Sequence, residues 1–447
     1  MMSKAPTIAA LAADLAGGRT TSVALTEAAL DRIADPAGEG VRTFTHVDRA
    51  TSLAQAEASD RLRAHGIVPS PLAGLPVSVK DLFDLAGQVT TAGSVVLKDS
   101  APAKVDAPAM ARLRAAGAVL IGRTNMTEFA FSGLGINPHY GTPGNPFDRK
   151  RIPGGSSSGA AVSVADGMAV AAIGSDTGGS VRIPAALCGL AGFKPTQSRV
   201  PRDGAVPLSW TLDSIGPLAA SIACCAVVDA VMAGEPAHAP EALPLAGLRI
   251  GVPEQIVLDG LDATVSAAFS RTLTRLSQAG AHLSDLDMPA LIRIAEVGGR
   301  GGFAAPEALA WHKSLLEHRG SEYDPRVSVR IRRGAEQSAV DYIELLAARK
   351  AIMAEAVEQT RDFDALLLPT TPIVAPRFDE VADDAGYTRL NIMVLRNPSL
   401  FNFLDRPAVT LPCTTDGLPV GAMLVGKRHH DRRLLAIARA VEPVIAG

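Results

Sequence analysis

Short apolar stretches alternate with helix-length segments along most of this chain, and that alternation constrains its fold more than any other feature. GAAVSVADGMAVAAIGSD (159–176) continues an alternation of helix and strand patterns. APAMARLRAAGAVLIGRTN (107–125) reads as a helix, a glycine turn and a short apolar strand. In PLAGLPVSVKDLFD (71–84), Val77 and Val79 alternate with Ser78 and Lys80 after Pro76, a strand signature. Before these, LAADLAGG, SVALTEAALDRI and ATSLAQAEASDRLRAHG read as helices. The chain closes with the strand patterns ALLLPTTP, AVTLPC and VGAMLVG and a final helix, DRRLLAIARAVEPV. The expected class is α/β, with helical layers around a mostly buried sheet.

Two regions stand apart. GEPAHAPEALPLAG (234–247), rich in proline and alanine, reads as a linker into the strand LRIGVPE, and residues 262–360 read as a mainly helical, more charged peripheral region. With 447 residues, of which 47% are hydrophobic, the chain has ample apolar surface for a large core. Its 43 basic and 46 acidic residues are dispersed, so neither a nucleic-acid footprint nor a polybasic membrane anchor is expected. The opening MMSKAPTIAALAADLAGG reads as an amphipathic helix rather than a signal peptide, because Asp14 interrupts its short apolar run. Asp166 likewise breaks the best candidate membrane span. Cys188, Cys224, Cys225 and Cys413 form no C-x-x-C pair, which favours free thiols in a reducing, cytoplasmic compartment.

Three stretches carry candidate chemistry. IPGGSSSGAA (152–161) matches G-x-S-x-G literally, but its approach, NPFDRKRIPGG, is too charged and proline-rich for the strand that a nucleophile elbow needs. None of the nine histidines sits in a telling context; His429 and His430 precede a charged helix and read as solvent-exposed. Walker A is excluded by the missing lysine, GGRGG (298–302) fits no dinucleotide fingerprint, and no metal-ligand spacing occurs. GSDTGGSVRIP (174–184) is a second glycine-serine loop, whose small residues allow successive amides to face one point, as an oxyanion hole requires; a plain strand-to-helix turn would look similar. Lys80, beside valines on an apolar strand, is costly to bury as an ammonium. Either Asp81 or Asp84 pairs with it, or the strand is an edge with the amine in water, or the amine is neutral and serves as a general base.

GGSSSG, GSDTGGSVRIPAALCGLAGFKPT and LPVSVKD together resemble the amidase signature family, and the likeness extends to LRAAGAVLIGRTNMTEFAFSG, GTPGNPFD, DSIGPLA and GLPVGAMLVG. Ser156 precedes Ser180 by 24 residues, as that family's pattern expects. The resemblance implies one domain over 1–447, an α/β/α fold with a large mixed sheet covered by helices on both faces. It also implies a Ser–cis-Ser–Lys triad, in which Ser180 is the nucleophile, Ser156 relays its proton on a cis peptide, and Lys80 is the neutral base. The backbone amides of Thr177, Gly178, Gly179 and Ser180 would hold the oxyanion, with Ser157, Asp176 and Arg182 as support. FAFSGL places Phe131, Ser132 and Gly133 beside the substrate, with core packing the plain alternative for Phe129 and Phe131. Ser158 departs from the family, where a second glycine is common.

The implied reaction is hydrolysis of a carboxylic amide to acid and ammonia through an acyl-enzyme, without metal or cofactor. VPRDGAVPLSWTLDSIGPLA (200–219) looks more like indole-acetamide and mandelamide hydrolases than like glutamine-dependent members, which favours a small primary amide with an aromatic or apolar acyl part; Trp210 could equally cover the core. A homodimer is compatible with this reading. The rival within the family is the glutaminase A-type subunit of a tRNA-dependent amidotransferase, which would need a partner subunit. The rival outside it is a non-enzymatic binding module with two anion-binding glycine loops.

Overall fold

The computed structural model describes residues 6–299, 301–414 and 417–446. Among them, strands β1 (Phe44–His46), β2 (Pro76–Lys80), β3 (Val119–Thr124), β4 (Ala171–Asp176), β5 (Ala191–Lys194), β6 (Ser214–Ala219), β7 (Arg249–Pro253), β8 (His282–Leu286), β9 (Ala365–Pro369), β10 (Ala408–Pro412) and β11 (Gly421–Val425) form one sheet. Their order is β1-β3-β2-β4-β6-β5-β10-β11-β9-β7-β8. The sheet is mixed: β2 runs parallel to β3 and β4, whereas β6 is antiparallel to β4. Every residue of β2, β4, β6, β9 and β11 is buried. Since successive side chains point to opposite faces, burial of all of them means that helices and loops cover both faces there.

The helices carry local reasons for where they start. Thr7, Thr21 and Asp48 cap Ile8–Ala16, Ser22–Ala34 and Arg49–Ala64 with a side-chain oxygen. Ser221 does so for Ile222–Ala233, which ends on the left-handed Gly234. Of the expected opening helix, residues 1–5 lie outside the described residues. The expected linker is irregular chain that leads into β7.

Residues 262–360 are not helical throughout. Between the helices Ala263–Gln278 and Ala290–Gly298 lies β8, the last strand of the sheet. Its sequence HLSDL is polar because it pairs on one side only and is largely exposed, so it lacks the apolar run that marks an interior strand. Among the described residues, no helix is long and apolar enough to cross a membrane.

Parallel pairing brings the carboxyl ends of β2 and β4 to the same side of the sheet, and β6 begins there at Ser214, opposite Asp176. Lys80 ends β2 and Ser175 and Asp176 end β4. Such a strand end is where open α/β sheets place ligands.

Candidate active site

Lys80 is completely buried. β2 lies between β3 and β4, so Lys80 is on no sheet edge. Neither neighbouring aspartate takes its charge: Asp81 is paired with the buried Arg123 at 2.5 Å, and Asp84 accepts from the Thr90 hydroxyl at 2.7 Å. The Lys80 Nζ lies 2.7 Å from Ser156 Oγ and 2.8 Å from Ser175 Oγ. Burial pulls its ammonium down to about 7, against the opposing charges of Asp176 and Asp213. A neutral amine has two N–H groups and one lone pair, so it can donate to Ser175 while accepting the Ser156 proton.

Ser156 follows a cis peptide from Gly155, and its carbonyl accepts the Thr127 amide at 3.0 Å. Gly155 is required by crowding, because a Cβ there would lie 2.5 Å from the Gly135 nitrogen. No strand enters the serine run; the chain arrives as irregular loop and leaves as the helix Ser158–Ala165. Ser157 ties the two glycine loops together: its amide donates to the Ser180 carbonyl at 3.3 Å and its hydroxyl to the Ser175 carbonyl at 3.4 Å.

The second loop is organised by Asp176. Its Oδ1 accepts the Gly179 amide at 2.9 Å and its Oδ2 the Val181 amide at 3.1 Å. Arg182 grips both oxygens, at 3.0 and 2.9 Å, and Asn402 donates at 2.8 Å. Burial works against ionisation of Asp176, but the charge and hydrogen bonds of Arg182, with Lys194 and Asn402, hold its carboxyl well below the usual carboxylate range. Gly179 has φ +127°, and a Cβ there would lie 2.6 Å from Pro398, so only glycine fits this turn. The Gly179 amide already has its acceptor, which corrects the expectation that it joins an amide cradle. Thr177, Gly178 and Ser180 are the loop amides left for that role. Ser180 itself is 3% exposed, at the start of the turn into the helix Arg182–Leu187.

A cavity of about 430 Å³ opens beside this loop. Ser175, Thr177 and Asp213 line its inner end, and Trp210 and Trp311 contribute its aromatic surface. Most of the wall is the 202–215 segment, and Trp210 is 49% exposed on it rather than covering the core.

Phe131, Ser132 and Gly133 do not line this cavity; their neighbour Ala130 does. The backbone turns left-handed at Phe129 and Ala130, with φ 49° and 60°, and the Gly133 carbonyl accepts the Gly155 amide at 2.8 Å, which sets this stretch against the serine run. The Ser132 hydroxyl and the Gly133 amide both donate to Asn391, and the Phe131 carbonyl accepts from Arg330. Phe129 is a core residue, stacked among Trp311, His312 and Tyr323. His429 and His430 are exposed, and the four cysteines are buried free thiols.

Sequence reasoning missed Ser175, Asp213, Asn402 and Trp311. Asp213 sits in the recognised DSIGPLA stretch, which was a signal for a role that no local pattern specifies.

Serines held against a buried amine, a loop of small residues and an adjoining cavity, at a strand end of a large mixed α/β sheet, are the parts of a hydrolase. Residues 24–435 match the Amidase family model, and the chain belongs to that family, whose members hydrolyse C–N bonds. It is 38% identical over 408 residues to 2-amino-5-chloromuconic acid deaminase of Comamonas testosteroni, covering 89% of this chain and 87% of that protein. It is 35% identical to the A-type subunit of the glutamyl-tRNA(Gln) amidotransferase of Chloroflexus aggregans, covering 98% of this chain and 96% of that one. A crystal structure of an amidase superposes with a TM-score of 0.90 at 34% identity, covering 98% of this chain and 100% of that one.

Proposed function

We propose that this amidase hydrolyses a small primary amide through an acyl-enzyme on Ser180. The observation that carries the reading is the fully buried Lys80 at 2.7 Å from Ser156 Oγ. As Ser180 Oγ attacks the carbonyl carbon, its proton passes to Ser156 and the Ser156 proton passes to the Lys80 lone pair. The oxyanion is held by the amides of Thr177, Gly178 and Ser180. When the C–N bond breaks, the proton returns along the same chain to the departing nitrogen, which leaves as ammonia. Water then hydrolyses the ester by the same proton path.

The flanking Trp210 and Trp311 favour a planar, apolar acyl group. The four buried free thiols favour a cytoplasmic location. The test is ammonia release by the purified protein from aryl, aliphatic and amino-acid primary amides, glutamine included, with Ser180→Ala as control. The panel also includes 2-amino-5-chloromuconic acid, after which the Comamonas relative is named. Release from an aryl or aliphatic amide, lost in Ser180→Ala, is expected. Release from glutamine alone would favour the second reading, a glutaminase that works with a partner, for which the similarity to the amidotransferase chain of Chloroflexus aggregans is the supporting observation.

A further inference from the structure

Asp213 joins two parts of the site that the chain keeps apart. Its Oδ1 accepts the Thr177 hydroxyl at 2.6 Å, and its Oδ2 accepts the amides of Leu208 and Ser209 at 3.0 Å each. Thr177 opens the loop that carries Ser180, while Leu208 and Asp213 are cavity wall. The wall is held from outside as well: Glu307 accepts the Ser209 hydroxyl at 2.6 Å and the Thr211 amide at 3.0 Å. An ionised carboxylate only accepts, so three converging donors fit it well. An asparagine could keep its oxygen on the two amides only by turning its N–H groups to Thr177, whose hydroxyl would have to change from donor to acceptor.

We propose that Asp213 is a positioning residue for amide hydrolysis, which fixes Thr177, and with it the oxyanion-binding amides, in register with the wall that holds the acyl group. The inference rests on the reading of Ser180 as nucleophile. A charge effect accompanies the geometry. Burial lifts the Asp213 carboxyl to about 6, against its three hydrogen bonds and the charge of Arg202. Above that pH it is an anion that, with Asp176, opposes the lowering of Lys80. Arg202 on the wall and Lys80 at the end of β2 are the charged groups whose fields couple to it. Without the Asp213 charge, Lys80 stays neutral to a lower pH.

The experiment compares Asp213→Asn, Thr177→Val and the double variant on an amide that the wild-type protein hydrolyses, with melting curves throughout. Either single variant should lower kcat about 10- to 100-fold, the cost of a small misplacement of reacting groups. The double variant should be no worse than the weaker single, because both break one link. The acid limb of kcat/KM should move to lower pH in Asp213→Asn and stay in place in Thr177→Val. Independent, multiplying losses, wild-type kcat, or an unmoved acid limb with a lowered melting temperature would overturn the proposal. If Asp213→Asn does not fold, Thr177→Val decides alone, and full activity in it overturns the proposal. Activity surviving in Ser180→Ala would remove the nucleophile reading instead, and the double-variant comparison would still judge the link between Asp213 and Thr177.

Discussion

Burial disfavours a lysine's charged form, and Lys80 is completely buried with two serine hydroxyls at its nitrogen. Burial brings it to about 7, so the sign of the pH effect follows. Below that value the amine is protonated, has no lone pair, and cannot accept from Ser156; above it the base is free. Activity should therefore fall about tenfold per pH unit on the acid side of roughly neutral pH, and the limb should vanish along with activity in Lys80→Ala. A profile flat through that region would contradict a neutral lysine base. The meeting of Lys80 and Ser156 was legible in the sequence because each lies in a distinctive local pattern. Ser175 and Asp213 were not, because a hydroxyl or carboxylate acquires its role only when β2, β4 and β6 meet. Phe131, Ser132 and Gly133 do stand beside the serine run, where the Gly133 carbonyl holds the Gly155 amide, but off the wall of the described cavity.

At the scale of elements, the second glycine loop depends on one buried ion pair. Asp176 and Arg182 are both completely buried, and breaking such a pair from one side leaves a charge without compensation. Arg182→Ala should cost about 3–5 kcal/mol in urea unfolding and release the Gly179 and Val181 amides from a fixed acceptor. A loss below about 1 kcal/mol, the range of exposed pairs, would show that the loop does not rest on this pair. Interior strands were readable because burial on both faces demands continuous apolar sequence, as in β9 and β11. β1 and β8 escaped notice because sheet ends need no such run: β1 has three residues and β8 is mostly polar; the interior β5 and β6 escaped it too, since AGFK and SIGPLA are short and interrupted by glycine or proline.

Across the whole molecule, the cavity lies where the sheet meets the helical region. Trp311 on the helix Ala304–Arg319 reaches the cavity, and Glu307 on the same helix binds the 209–211 wall and the Tyr342 hydroxyl at 2.6 Å. Glu307→Ala should lower stability by about 1–3 kcal/mol, the cost of unpaired buried donors, and raise KM more than it lowers kcat. An unchanged KM would mean that the helical region does not shape the acyl site. The charged helices of 262–360 were visible in sequence, but their service to the pocket was not, because Glu307 and Ser209 lie far apart along the chain.

The central claim is that the serine run relays a proton and Ser180 makes the bond. It is tested most directly by labelling the protein with a fluorophosphonate and locating the adduct by peptide mass spectrometry. The adduct should be on Ser180 alone and should form far more slowly in Lys80→Ala. An adduct on Ser156, Ser157 or Ser158, with Ser180 unmodified, would contradict it.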